Sequence, residues 1–428
     1  MNKETNKLIP ALRFPEFVNE GEWDGKEFSN YIKLYRGSSP RPIQDFLTKE
    51  VNGVNWIKIG DSKNARNSII YNVEEKITPK GAENSRKVEN GELILANSMS
   101  FGKTYELAID GCIYDGWFVL REYEKHFDKK FLLQLLNSEY MQKQYQKLAA
   151  GGIVQNISSE IVYRTLLLHT SISEQQKIAS CLSSLDEVIA AHSLKLEALK
   201  THKKSLMQNL FPQEGETVPK WRFKEFGEDG EWVEKFVEDF FLVGSSKRVL
   251  QEDWTSQGVP FYRTRELVSL SKNVPFRNEI FISEELFLEI SKNYGIPSEG
   301  DFLVSGVGTL GICYQVKPDD RFYFKDGNVL WFKLKKGINS TYFKFCFQSE
   351  YIQNQIVKQA SISTVGTYTI QNAKKTTLWY PPKPKEQQKV AECLSSLDTL
   401  IIAQSEKIEQ LKLHKKGLMQ GLFPKVNY

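Results

Sequence analysis

From Ile178 onward, apolar side chains recur at alternating steps of four and three residues: Ile178, Leu182, Leu185, Ile189, Leu196, Leu199, Leu206 and Leu210, with His192 and Lys203 in the two remaining places. The stepping returns at Val390, Leu394, Leu397, Ile401, Ile408, Leu411, Leu418 and Leu422, with Gln404 and Lys415 in the polar places. A stripe of this period predicts a long amphipathic helix whose seam packs on another helix. Ser173 stands where an N-cap would, and Pro212 and Pro424 stop the two helices. At 1.5 Å per residue, each is about 55 Å long.

The two segments are copies. Glu174–Pro212 aligns with Glu386–Pro424 without a gap, and 27 of 39 positions are identical. Weaker matches extend the repeat over the chain. PALRFPEF (10–17) faces PKWRFKEF (219–226), and both run on to a Gly-Glu-Trp. GSSPR (37–41) faces GSSKR (244–248), GELILANSMSFG (91–102) faces GDFLVSGVGTLG (300–311), and NSEYMQKQ (137–144) faces QSEYIQNQ (348–355). The chain is a tandem duplication: a globular domain over 1–172, a helix over 173–212, a second domain over 213–384 and a second helix over 385–428.

Each helix is the obvious partner for its copy. Parallel pairing would make the intervening domain span the full helix length, so antiparallel pairing is expected. The expected architecture is α+β: two similar globular α/β domains separated by two long antiparallel coiled-coil helices, in a pseudo-twofold tandem repeat with neighbouring termini.

Composition narrows the class. With 40% hydrophobic and 26% charged residues the chain is ordinary for a globular protein. A net charge of +4 is compatible with nucleic acid but too small to establish it. The five cysteines, Cys112, Cys181, Cys313, Cys346 and Cys393, form no C-x-x-C pair and read as buried free thiols of a reducing compartment. MNKETNKLIP has no apolar signal region, and no apolar run reaches membrane-spanning length. A cytoplasmic protein away from membranes is expected.

The duplicated E-Q-x-K-[IV]-A-x-x-L-S-x-x-D helix, each copy followed by K-K-[SG]-L-M-Q-x-L-F-P and preceded by a divergent domain, resembles the specificity subunit of a type I restriction-modification system. The resemblance covers essentially the whole chain. It implies that each globular domain is a target-recognition domain reading one half of a bipartite, asymmetric site in double-stranded DNA. It implies that the helices set the spacing and dock two methyltransferase subunits, with two motor-nuclease subunits joining for cleavage. AdoMet, ATP and magnesium would then belong to the partners, with no cofactor in this chain. Two readers on a rod suit the ~34–36 Å repeat of B-DNA. One departure is local: LLLHTSISEQQ leads into the first helix where LWYPPKPKEQQ leads into the second.

Candidate DNA contacts follow from residue chemistry. Residues 33–66 carry seven basic side chains, Lys58 among them, against three acidic ones, a balance suited to phosphate. Ser38, Ser39 and Arg41 in one domain, and Ser245, Ser246, Lys247 and Arg248 in the other, offer hydroxyls and cations to phosphate or a guanine edge; a plain structural turn is the competing reading. Arg263 and Arg265 would share a face if they lie on a strand and suit a guanine edge; a surface salt bridge with Glu266 or its neighbours is the competing reading. Ser98, Ser100 and Lys103, and Ser305 and Thr309, fall on predicted turns between strands. Gln155 and Asn156, and Thr367 and Tyr368, precede the helices among small residues. The repeated pairs Lys203-Lys204 and Lys415-Lys416 are candidates for partner docking.

Several motifs are rejected. Gly306-Val-Gly308-Thr-Leu-Gly311 fits a dinucleotide fingerprint, but it lies between strands with no helix after it. Gly102-Lys103-Thr104 ends like a phosphate loop, yet Asn97 replaces the first glycine. No catalytic set and no metal-ligand cluster emerges from His126, His169, His192, His202 and His414. Two other readings stay open: a DNA-modifying enzyme with diverged motifs, and a coiled-coil scaffold whose ends bind proteins.

Overall fold

The computed structural model describes residues 8–98, 102–149, 156–272, 274–276, 279–360 and 366–425. The chain divides into two compact units. The first joins residues 1–195 with 404–428, and the second spans 196–403.

Each unit is mixed α/β and built on the same strand order. Both sheets of the first unit have five strands; the larger in residues runs Lys33–Arg36, Trp117–Arg121, Leu93–Ala96, Thr104–Leu107 and Ile69–Ile70. In the second unit the order is Phe241–Gly244, Val329–Leu334, Phe302–Ser305 and Cys313–Gln315, without the fifth strand. The central strands are apolar throughout: Leu93, Ile94, Leu95 and Ala96 are all fully buried, as are Phe302, Leu303 and Val304, because both faces of the sheet are covered. A second sheet accompanies each. Leu47–Thr48, Glu75–Ile77, Val54–Ile57 and Gly111–Ile113 correspond to Trp254–Thr255, Phe281–Ile282, Val259–Tyr262 and Tyr323–Phe324, and the first unit adds Arg86–Val88. In both, the third and fourth strands pair parallel.

The long helices are α1 (Ile172–Asn209) and α2 (Pro384–Leu422). They begin at equivalent residues despite the missing prolines before α1. The start of α1 precedes the expected Ser173 cap: the Glu174 N–H donates to the Ser171 hydroxyl at 3.4 Å, so Ser171 satisfies the first free donors. Within the first unit, Asp186 meets Lys415 at 2.7 Å and His192 meets Gln404, whose Nε2 donates to the His192 carbonyl at 2.8 Å. Partner numbers fall as helix numbers rise, so these segments run in opposite directions. Within the second unit Lys203 meets Asp398 at 2.6 Å. Lys203 and Lys415 are therefore held in half-buried ion pairs, which corrects their expected exposure. Lys204 and Lys416 remain exposed.

The seam residues divide by depth. Ile178, Leu182, Val390, Leu394, Leu397 and Ile408 are buried, the first four at the ends of helices sunk into domain cores. Leu185, Ile189, Leu196, Leu199, Ile401 and Leu411 are half-buried. The helix tails also dock: Leu422 and Phe423 join the core of the first unit, and Leu210 and Phe211 that of the second. Phe423 lies edge-on to Trp23, and Phe211 edge-on to Trp232. All five cysteines are free; burial pushes the Cys112 thiol up to about 11. Among the described residues, no helix is long and apolar enough to cross a membrane.

Candidate nucleic-acid interface

Residues far apart in sequence meet at one end of the larger sheet in each unit. In the first unit the Asn97 N–H donates to the Gly116 carbonyl at 2.9 Å, and the Ile157 N–H donates to the Asn97 carbonyl at 2.7 Å. In the second, the Gly306 N–H donates to the Asn328 carbonyl and the Tyr368 N–H to the Gly306 carbonyl, both at 2.9 Å. The segment before a short helix, Ser159–Tyr163 in the first unit and Ile370–Lys375 in the second, thus hooks onto the end of a buried strand by the same bonds in both copies.

Strand register corrects one match. Leu95 and Val304 hold equivalent places and pair with Phe118 and Leu330. Phe118 also faces Arg36. Trp331 faces Gly244, so Leu330 falls opposite Ser245. Arg36 therefore corresponds to Ser245, and GSSPR and GSSKR, though alike, are displaced from one another. Only one of their glycines is obligatory: a Cβ on Gly37 would lie 1.9 Å from the Tyr114 carbonyl oxygen, whereas Gly244 has open space.

Asp115 organises this end of the first unit. Its carbonyl accepts from Arg36 Nε at 3.2 Å and from Asn97 Nδ2 at 2.9 Å, and its carboxylate accepts from the Ser39 hydroxyl at 3.0 Å. The Ser38 hydroxyl donates to the Asn84 carbonyl at 3.3 Å, and Arg41 is exposed beyond it. A cleft of about 390 Å³ opens beside Asp115, lined by Arg36, Asn97, Asn156, Ser158, Phe118 and Tyr163 among others. Asn156 is exposed there. Ser98 is half-buried and Lys103 exposed at the two ends of the strand turn. Ser100 and Gln155 lie outside the described residues. Lys58 follows the central strand of the other sheet and is paired with Glu75 at 2.5 Å.

In the second unit the Ser245 hydroxyl donates to the Val329 carbonyl and accepts from the Gly327 N–H, both at 3.2 Å. Ser246 is half-buried. The Lys247 N–H donates to the Tyr323 hydroxyl at 2.7 Å, its ammonium lies 5.1 Å from the Tyr294 ring, and Arg248 is exposed. Ser305 is fully buried and its hydroxyl accepts from the Ile312 N–H at 2.8 Å, which leaves exposed Thr309 at the tip. Thr367 bridges Val307, and buried Tyr368 shares a hydrogen bond with Thr376 at 2.7 Å. Ser305 and Tyr368 hold the loops together rather than face solvent.

Arg263 and Arg265 are not on a strand. The strand ends at Tyr262 and a helix occupies Thr264–Ser271, with Arg263 at its N-cap. Both guanidinium groups bond buried Glu266, Arg263 at 2.8 Å and Arg265 at 2.6 Å. Burial alone would raise that carboxyl, but hydrogen bonds from the two arginines prevail and hold it below its ordinary value. The Gly306–Gly311 segment joins two strands. Among the described residues no His, Cys, Asp or Glu cluster is arranged for a metal ion.

The sequence reading passed over one pair present in each copy. Arg13 and Glu174 join through two bonds of 2.8 Å. Arg222 and Glu386 join through bonds of 2.8 and 2.9 Å. Next to each glutamate, a glutamine fastens the helix start to the domain: Gln175 accepts from the Asp128 N–H and Gln387 from the Asn339 N–H, both at 2.9 Å. The signal was available, since Arg-Phe and Glu-Gln are retained in both halves.

The family model described as "Type I restriction modification DNA specificity domain" matches residues 23–201 and 229–413. The type I restriction enzyme MjaVIII specificity subunit of Methanocaldococcus jannaschii is 24% identical over 429 residues, covering 98% of this chain and 95% of that protein. Among solved structures, the S subunit of a Type-I restriction-modification system from M. genitalium matches with a TM-score of 0.58 at 15% identity, over 98% of this chain and 100% of that one. A chain from a study of complex assembly and conformational transition of the type I R-M system also gives 0.58, at 14% identity, over 94% and 97%. At these identities the two structures share a fold with this chain.

Proposed function

The chain belongs to the type I restriction-modification DNA specificity family, and we propose that each of its units reads one half of a bipartite, asymmetric site in double-stranded DNA. Its role is DNA sequence specificity. The observation that carries the two-reader proposal is the pair of units with one strand order, one Arg–Glu clamp and different side chains at the equivalent sheet end.

In this proposal α1 and α2 form an antiparallel coiled coil with pseudo-twofold symmetry, set the spacing of the half-sites and dock two methyltransferase subunits. The opposed pairs Asp186–Lys415 and Lys203–Asp398 support it, as does the meeting of His192 with Gln404, its own counterpart in the repeat. Two motor-nuclease subunits complete the cleaving complex. The chain itself is non-catalytic: methyl transfer with AdoMet, and ATP- and magnesium-dependent cleavage, belong to the partners. The complex works in the cytoplasm.

The test is methylation mapping by single-molecule sequencing in cells that carry the cognate methyltransferase with and without this chain. A bipartite motif that requires the chain is expected. Exchange of residues 33–160 for those of a relative should change one half of the motif and leave the other. An active methyltransferase with no motif dependent on this chain would overturn the reading and favour a protein-binding scaffold.

A further inference from the structure

The two units keep the same backbone bonds at the sheet end but none of the same polar side chains there. Where the first has Arg36, Asn97, Asp115, Asn156 and Tyr163, the second has Ser245, Gly306, Gly327, Thr367 and Lys374. A scaffold duplicated with its bonds intact does not require these exchanges. Two readers of different half-sequences do, because sequence is read by side chains on base edges while the backbone only positions them.

The cleft exists in this form in the first unit for a physical reason. In the second unit, Val307 and Thr367 close together as a β-bridge. A Cβ on Gly306 would stand 2.8 Å from the Tyr368 carbonyl oxygen, so no side chain fits where Asn97 sits in the first. In the first unit, Asn97 and Arg36 share the Asp115 carbonyl as an acceptor. That bond uses Arg36 Nε and leaves the two terminal amino groups of an exposed guanidinium on the cleft. These are the groups an end-on bidentate contact needs. Asn156 offers an exposed carboxamide to the same cleft, and its amide matches the N6/N7 edge of adenine as guanidinium matches the O6/N7 edge of guanine.

We propose that this cleft is the base-reading site of the first unit, with Arg36 reading a guanine and Asn156 an adenine, and with Asn97 and Asp115 as positioning residues that orient Arg36. The inference rests on the two-reader function proposed above. Ser38, Ser39 and Lys103, which do not line the cleft, then serve phosphate contact and turn geometry rather than base discrimination.

The experiment uses the full chain in complex with its methyltransferase. The wild-type motif is first mapped, and binding is then measured on duplexes that differ by one base pair within it. Arg36→Ala should reduce discrimination at one guanine of one half-site by roughly 10- to 100-fold and leave the other half unchanged. Arg36→Lys keeps the charge but not the planar fork, so it should lose the same discrimination with little change in salt dependence. Asn156→Ala, at an exposed position that cannot disturb the core, should relax one adenine. Uniform weakening across all duplexes with a shallower salt slope would make Arg36 a phosphate contact and overturn the assignment. Unchanged discrimination in Arg36→Lys and Asn156→Ala would also overturn it. A wild-type complex with no bipartite motif would instead sink the two-reader function itself.

Discussion

Arg13 and Glu174 are joined by two parallel hydrogen bonds of 2.8 Å, and both side chains are almost completely buried, at 6% and 1% exposure. The pair ties the segment before the first strand to the first turn of α1. The Thr170 hydroxyl also donates to the Glu174 carboxylate. In the second unit the Trp232 indole N–H donates to Glu386 at 3.1 Å instead, while the Trp23 indole N–H has no partner. Removing one member of such a pair leaves a buried charge uncompensated. Arg13→Ala should therefore destabilise the first unit by about 3–5 kcal/mol. The double variant Arg13→Met/Glu174→Leu should be less damaged than either single one. Urea unfolding of wild type, Arg13→Met, Glu174→Leu and the double variant checks this; strictly additive losses would mean that the pair is not coupled.

Gly37 and Gly244 look interchangeable in sequence and differ in space. A side chain on Gly37 would collide with the Tyr114 carbonyl, where the backbone crosses to the second sheet through the Ser38 N–H to Ile113 carbonyl bond of 3.2 Å. Gly37→Ala should cost about 1–3 kcal/mol through forced backbone shifts. Gly244→Ala should stay within ~0.5 kcal/mol of wild type. Equal melting temperatures for the two variants would show that the crowding at Gly37 relaxes without cost.

The helices were legible because one period ran unbroken through ten seam positions in each copy, and because duplication supplied a second reading of each. The sheets were legible where apolar runs such as Leu93–Ala96 sat between turn residues. The interface was legible only in part. Ser39, named from residue type, bonds Asp115 at the sheet end, and Asn156, named from its position before the helix, lines the cleft there; their contact with DNA is a proposal. Arg36, which ends a strand immediately before GSSPR, stands in the sequence only among the seven basic side chains suited to phosphate, because a strand position gives no sign that its tip lines a cleft. Arg263 and Arg265 were misplaced because the two-residue spacing of a strand was assumed. Glu266, the N3 carboxylate three residues after Arg263, bonds back to the Arg263 N–H at 3.0 Å and starts a helix there. Long-range closure, such as the Asn97–Ile157 bond, leaves no local trace in sequence.

That same Glu266 gives a pH prediction. Its carboxyl is held below its ordinary value of 4.5 by the arginine hydrogen bonds, against burial. The folded state therefore binds fewer protons than the unfolded state in the window below 4.5. The stabilisation is fully present above that value and is lost as pH falls through the lower folded value. Glu266→Gln should cost about 1–3 kcal/mol at pH 7, and its deficit relative to wild type should shrink as pH drops below 4.5. A deficit independent of pH between 7 and 3 would mean that shape, not charge, is what the helix start requires.

The polar layer in the helix seam yields the last prediction. Gln404 is only 8% exposed, and its amide lies 2.7 Å from His192 Nδ1 as well as 2.8 Å from the His192 carbonyl. Ile189 and Leu196 flank His192 in one seam, and Ile401 and Ile408 flank Gln404 in the other. A polar pair inside an apolar seam contributes little net stability when satisfied but is costly to break. Gln404→Leu alone leaves His192 facing an apolar wall, and His192→Leu alone strands the Gln404 amide; each should cost about 1–3 kcal/mol. The double variant His192→Leu/Gln404→Leu replaces the layer with apolar packing and should recover most of that loss or exceed wild-type stability. A double-variant cycle read by thermal unfolding decides. A large recovery shows that the layer is retained for the specificity of helix pairing rather than for stability, whereas additive losses show that the two side chains act independently.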